Sequence, residues 1–225
     1  AEARIAGELG KFLMDGSLYR GSKPVMWSPV EKTALAEAEI EYFDHTSPTI
    51  YVGFPVVKAS IPEIEDASAV IWTTTPWTMP GNRALAYGPD IEYTVFDVAA
   101  VTNNSGSKIG QRLIVASERL KAMTVECGIT SYSVLATFKG LSLDGTLCSH
   151  PLRGQGYDYN VPALAADFAT TEEGSGIVHI APGHGSDDWV LGTANNIEVP
   201  HTVGEDGRYL EHIPLFAGLH VYTCN

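Results

Sequence analysis

An α+β fold, with a β-barrel-like core and peripheral helices, is predicted for this 225-residue chain by three features. Short runs rich in β-branched and aromatic residues recur between clusters of Gly, Pro, Asn and Asp. The 22 glycines and 13 prolines supply turns for many short strands. Helical periodicity is confined to three stretches, so helices can only decorate a mainly β body.

Taken in order, Ile5, Leu9, Phe12 and Leu13 recur at helical spacing from Glu2 to Leu13, and Asp15-Gly16 supplies a stop. Leu18 to Trp27 reads as an extended arm, and a second extended piece is expected from Ala38 to Phe43. Residues 1–44 are therefore expected to be a connector, and residues 45–225 a separate domain with a strand returning at its end. Strands are predicted at Ile50 to Val57, Ala69 to Thr74, Ala84 to Tyr87 and Ile91 to Val98. Asn103 to Lys108 is a polar loop, and Gln111 to Ala116 a further strand. A helix is predicted from Ser117 to Cys127, capped by Ser117 and burying Leu120, Met123 and Val125. Strands follow at Ser131 to Phe138, Gly154 to Tyr159 and Gly176 to Ile180, and the last helix at Ser186 to Asn196, with Ser186 as its cap.

Two stretches carry unusual chemistry. In Trp72-Thr73-Thr74-Thr75-Pro76-Trp77-Thr78-Met79-Pro80-Gly81-Asn82, a strand ends in three hydroxyls and prolines fix the turn after it. Asn82, just beyond the second proline, could close that turn into a cradle. Ordinary packing of β-rich threonines is the plainer reading. In Gly174-Ser175-Gly176-Ile177-Val178-His179-Ile180-Ala181-Pro182-Gly183-His184-Gly185-Ser186-Asp187-Asp188, a strand histidine leads through a glycine-rich bend to two acids on the first turn of a helix. Acids there complement the helix dipole, and of two adjacent ones at most one should line a site.

Several templates fail. Gly174-x-Gly176-x-x-His179 lacks the third glycine of a dinucleotide loop, and neither a phosphate loop nor a G-x-S-x-G elbow occurs. His179, His184, Asp187 and Asp188 could share a metal, but they lack the H-x-x-x-H pair of a zincin. No role is assigned to His45, His150, His201, His212 or His220. Cys127, Cys148 and Cys224 are odd in number and form no C-x-x-C pair, which points to a reducing, cytoplasmic setting. The apolar runs are too short to span a membrane.

At these two stretches the chain resembles the editing domain inserted into the class I isoleucyl-type tRNA synthetases. Trp72 to Thr78 is similar to the threonine-rich editing motif, with Thr75 where leucyl and valyl relatives usually carry arginine. Gly174 to Asp188 is similar to the second editing motif, and Ala34 to Tyr42 to the strand entering the domain. The resemblance implies the editing-domain fold and hydrolysis of valyl esters on the 3′ terminal adenosine of tRNA(Ile), with valyl-adenylate as a second substrate. It implies that Asp188 binds the α-ammonium and that His179 excludes the larger side chain. Thr73, Thr74 and Thr75, as catalytic residues with Asp188, would line the pocket together with Trp72 and Trp77. They would hydrogen-bond the ester, the terminal adenosine or an attacking water, with Asn82 supporting that wall. No cofactor is implied. The cysteine pair of many relatives is absent around Trp27 to Glu31, which removes any expectation of zinc. The H-I-G-H and K-M-S-K-S signatures of aminoacylation are also absent.

A chain that starts at Ala1 and stops at Cys224-Asn225 is expected to be a segment, monomeric by itself, whose partner is the remainder of a synthetase. A net charge of −13 argues against an autonomous nucleic-acid binder held by a basic surface, though not against an RNA substrate gripped only at its end. Three alternatives remain: editing of the valyl or leucyl type, a metal-dependent hydrolase, and a non-catalytic RNA-docking module.

Overall fold

The computed structural model describes residues 1–224. Three α-helices accompany one small and one large sheet. In chain order the elements are α1 (Glu2–Met14), β1 (Trp27–Ser28), β2 (Thr33–Ala34), β3 (Ile50–Lys58), β4 (Ala67–Thr73), β5 (Ala84–Tyr87), β6 (Glu92–Val101), β7 (Arg112–Ala116), α2 (Leu120–Glu126), β8 (Ile129–Lys139), β9 (Leu147–Ser149), β10 (Asn160–Ala165), β11 (Ile177–Ile180) and α3 (Ser186–Ala194). β1 and β2 form a short antiparallel hairpin. The other nine strands form one mixed sheet in the order β11-β5-β10-β9-β3-β4-β7-β6-β8. Only β10 with β5 and β4 with β7 run parallel.

The α+β class holds, and the sheet is curved rather than closed. β11 and β8 remain its edges. The curvature brings β11 back over the middle of the sheet. Ser175, just before β11, accepts the amide of Ala116 at the end of β7 at 2.9 Å. Inside the curve, Phe54, Ile71, Leu85, Tyr93, Ile114 and Ile177 pack into the main core. Because side chains alternate along a strand, the neighbours Val70, Leu113 and Val115 point outward, where Leu120 and Met123 of α2 cover them. Ala84, Ala86 and Ile180 likewise meet Leu191, on the α3 side. Burial on both faces explains why these strands read as continuous apolar runs.

Several expected boundaries move. Gly154 to Tyr159 is turn and irregular chain, and β10 begins only at Asn160. Beyond Ala34 the entering segment holds a 3₁₀ turn at Glu37–Glu39, not a strand. Ser117 opens a 3₁₀ turn rather than capping α2, and its hydroxyl meets Thr94 Oγ1 at 2.8 Å. Val125 is exposed, whereas Thr124 is buried. The cap position of α3 is Gly185, one residue before Ser186. The segment 200–224 has no extended return strand, only isolated bridges of Val203 with Tyr209 and Arg208 with His220. α1 buries none of its residues. The arm after it docks on the C-terminal half: Trp27 Nε1 donates to Glu205 O at 2.9 Å, and Trp189 Nε1 to Ser22 O at 2.7 Å.

Candidate active site

A cleft of about 440 Å³ opens where β4 ends, beside β11 and the first turn of α3. One wall is the threonine run. Thr73 is buried, while Thr74 and Thr75 are exposed at the strand end. Thr75 N–H donates to Thr73 Oγ1 at 3.0 Å, so the first hydroxyl holds the bend that presents the other two. Pro76 then starts a 3₁₀ turn, Pro76–Gly81. Its φ suits that position and it lacks the N–H that would go unpaired there.

The opposite wall is the segment Gly174 to His179. Gly174 and Gly176 both have φ in the left-handed region, +68° and +78°. A Cβ on Gly174 would lie 3.0 Å from the Trp72 ring, and one on Gly176 2.3 Å from Ala116 Cβ. Both positions therefore need glycine for conformation and for space. Period two along β11 puts His179 on the same side as Ile177, toward the curved interior.

His179 is held at both ring nitrogens. Asn82 Nδ2 donates to Nδ1 at 3.0 Å and also to Ala84 O at 3.0 Å. The Ala84 carbonyl fixes the amide orientation, since the reverse would aim oxygen at oxygen. Nδ1 is thus an acceptor, and the proton lies on Nε2, which meets Thr78 Oγ1 at 2.7 Å. Thr78 in turn donates to Thr75 O at 2.9 Å. With both nitrogens engaged in the wall, the ring can offer only carbon to the cleft. Burial, then His184 and His150 nearby, push its pKa down to about 4, so it is neutral near pH 7.

Asp188 supplies the third side. Its Oδ2 accepts the Ala181 amide at 2.8 Å, a return made possible by Gly185, where a Cβ would lie 2.8 Å from the Asp188 Cγ. Burial raises its pKa, against the lowering effect of the Ala181 amide, and the neighbouring Asp187 raises it further. Asp187 itself is exposed, so one of the two adjacent acids lines the cleft. Glu172 and Glu173 join Asp188 in the lining, and no Lys or Arg does among the described residues. Such a cleft favours a cationic group and repels phosphate.

Of the residues singled out in the sequence, Trp72, Thr73, Thr74, Thr75, His179 and Asp188 line one cleft. Trp77 and Asn82 do not. Trp77 faces the other way, edge-on to His184 at 5.0 Å and packed with Tyr209 and Val221. Asn82 is fully buried behind the wall and acts through His179. Thr78, part of the threonine-rich motif but with no role assigned from the sequence, also lines the cleft, since its place three residues after Thr75 in a tight turn brings it back to the same side. The rim of Phe168, Thr170, Glu172 and Glu173 had no sequence signal beyond an acidic pair before a glycine. Among the described residues, no group of three His, Cys, Asp or Glu side chains is arranged to hold a metal.

The chain is similar to isoleucine-tRNA ligases of bacteria. It is 56% identical over 226 residues to that of Gluconobacter oxydans (strain 621H) and 49% identical over 225 residues to that of Pelagibacter ubique (strain HTCC1062). Each match covers 100% of this chain, which spans only 24% of either relative's length. Among solved structures, GlLeuRS-CP1 aligns at TM-score 0.49 and 15% identity, over 67% of this chain and 66% of that one. The P. knowlesi cytosolic leucyl-tRNA synthetase editing domain aligns at 0.49 and 13%, over 66% and 64%. Those likenesses are too distant to add weight. The sequence model described as tRNA synthetases class I (I, L, M and V) matches residues 2–205, and the chain belongs to that family.

Proposed function

We propose that this chain is the proofreading part of an isoleucyl-type synthetase and hydrolyses valyl esters at the 3′ end of tRNA(Ile). The observation that carries the reading is the acidic cleft, in which the half-buried Asp188 faces a row of threonine hydroxyls across a neutral histidine. An aminoacyl ester has a free α-ammonium, and a carboxylate with one oxygen already fixed by a backbone amide is a ready partner for it. The need for a second site is energetic. One methylene is worth only about 1–3 kcal/mol in an apolar pocket, a general figure established for isoleucine against valine rather than one read from this chain.

The ester is already an activated acyl group, so a positioned water suffices as nucleophile. His179 is a poor base for that water, because its Nδ1 lone pair is committed to Asn82 and its Nε2 proton to Thr78. Its part is steric: a rigid carbon edge beside the side chain, leaving room for valine and not for isoleucine. The hydroxyls of Thr74 and Thr75 orient the ester and the water, with help from the substrate's own vicinal ribose hydroxyl. Valyl-adenylate presents the same ammonium and side chain and fits as a second substrate. Phosphate contacts to the body of the tRNA belong to the rest of the synthetase.

The test is single-turnover hydrolysis of valyl-tRNA(Ile) with the enzyme in excess, with and without exhaustive chelation. Release of valine that survives chelation is expected. Loss on chelation would favour a metal-dependent hydrolase, and tRNA binding without any release of valine a docking module.

A further inference from the structure

We propose that Tyr159 and Arg83, neither of which lines the cleft, are positioning residues that set how strictly it rejects the larger side chain; this rests on the editing reading above. The carbonyl of Asn82 is gripped from behind by both. Tyr159 Oη donates to it at 2.9 Å and Arg83 Nη1 at 2.7 Å, and the same Arg83 nitrogen donates to Tyr159 Oη at 2.7 Å. The guanidinium also lies 4.6 Å from the Tyr159 ring centre. Behind that pair His150 packs against Tyr159 and stacks on Tyr157, while its Nε2 meets Met79 O at 3.1 Å. Tyr209 Oη donates to Trp77 O. The turn Pro76–Gly81 and the residue after it are thus tied down by side chains from two distant segments and by the adjoining Arg83.

The consequence reaches the cleft through one residue. The Asn82 backbone is fixed at both ends, N–H to Met79 O at 3.0 Å and C=O in the clamp, and the next amide, Arg83 N–H, donates to Ile180 O at 2.9 Å. Its side-chain NH₂ then reaches His179 Nδ1 and Ala84 O at 3.0 Å, with Ile180 O farther off at 3.4 Å. Releasing the carbonyl frees the amide to drift, and with it the tautomer and tilt of the ring whose edge bounds the side-chain space. The effect falls on discrimination rather than on the water or the ammonium, because neither Thr74, Thr75 nor Asp188 touches the clamp.

Tyr159→Phe removes one hydroxyl and keeps the ring stack. Single-turnover deacylation of valyl- and isoleucyl-tRNA(Ile) by wild type, Tyr159→Phe and Arg83→Lys reads the ratio of the two rates. The ratio is expected to fall about fivefold in Tyr159→Phe, the size of one neutral hydrogen bond, through faster isoleucyl cleavage. Arg83→Lys leaves the carbonyl to Tyr159 just as Tyr159→Phe leaves it to Arg83, so its ratio should fall by a similar factor. A ratio within twofold of wild type, or an equal loss of both rates, overturns the proposal. Histidine ¹⁵N spectra of the same proteins give a second reading, independent of turnover. Wild-type His179 should show the Nε2–H pattern and Tyr159→Phe a mixture; an unchanged spectrum overturns the proposal too. If wild type fails to cleave valyl-tRNA while the spectrum shifts, the editing reading falls and the clamp stands.

Discussion

Asp188→Asn separates the charge of the carboxylate from its structural duty. In the fold, Asp188 Oδ2 receives the Ala181 amide, and an Asn oxygen can occupy the same place. Burial already disfavours the charged form, so removing the charge relieves desolvation. Against that stands the loss of a favourable charge at the start of α3, worth about 0.3–1 kcal/mol. The two effects oppose each other, and stability should stay within about 1 kcal/mol of wild type. Function has no such compensation. The ammonium of a bound aminoacyl ester loses a charge-assisted partner in a cleft without Lys or Arg, and breaking a desolvated pair of that kind costs about 2–5 kcal/mol. The amide NH₂ would also present a donor to a donor. Single-turnover deacylation of valyl-tRNA is therefore expected to slow by at least about 30-fold at subsaturating enzyme, while the urea midpoint moves by no more than that ~1 kcal/mol implies. Deacylation within threefold of wild type would refute the assignment of Asp188 to the ammonium, and a lost transition would show that the residue is structural.

Other outcomes follow from the same geometry. His179→Ala removes the ring edge and should let isoleucyl-tRNA be cleaved; unchanged rejection, measured in the same assay, refutes the steric role. It should also destabilise the chain by about 1–3 kcal/mol, since a buried Asn82 N–H loses its acceptor. His150, His179 and His184 are each pushed down to about 4, chiefly by burial, so the unfolded chain takes up protons that the folded one refuses. Stability should then fall as pH drops from about 6.5 toward 4, by at most about 1.4 kcal/mol per pH unit for each histidine, less for the partly exposed His184. Asp188, with its raised pKa, works in the opposite sense and softens the slope. Urea midpoints that stay level between pH 7 and 5 would contradict this. Gly176→Ala combines positive φ with a 2.3 Å clash against Ala116 and should lower stability by about 2 kcal/mol or more, read by urea unfolding.

What the sequence discloses about the site is whatever lies close together along the chain. Thr73, Thr74 and Thr75 could be read as a strand end with displayed hydroxyls because prolines follow at once. That at most one of Asp187 and Asp188 lines a site could be read because neighbours on a helix face different ways, while the choice of Asp188 rests on the family resemblance. The strands with both faces buried were legible as apolar runs, with most edges good to a residue or two, although β6 runs to Val101, three residues past the expected Val98. β9, only Leu147–Ser149, was missed: three residues give no alternation to see. Gly154 to Tyr159 carried two glycines and two tyrosines, strand-like by composition, but its aromatics serve the clamp and the core rather than a ladder. Trp77 and Asn82 sit in the right motif but off the cleft, because Trp77 is taken up by packing with Tyr209 and Val221 and Asn82 is buried behind His179. His150 has an unremarkable local context, and its bond to Met79 O spans 71 residues, so only the fold reveals its use.

The acid balance of the chain and the chemistry of its cleft are one argument at two scales. A net charge of −13 argues against a phosphate grip by the surface at large, and the cleft repeats this locally with Asp188, Glu172 and Glu173. On the proposed function, a site that accepts an ammonium and releases a free amino acid has no use for Lys or Arg at its lining, since a cation there would compete for the carboxylate. The same arrangement weakens attraction for the polyanion that carries the ester. On the same proposal, affinity for tRNA comes from outside this segment; the relatives it matches are about four times as long. Salt dependence separates the two contributions: binding of valyl-tRNA through phosphate contacts falls steeply with salt, whereas the cleavage step, set by one ion pair shielded in a cleft, changes little.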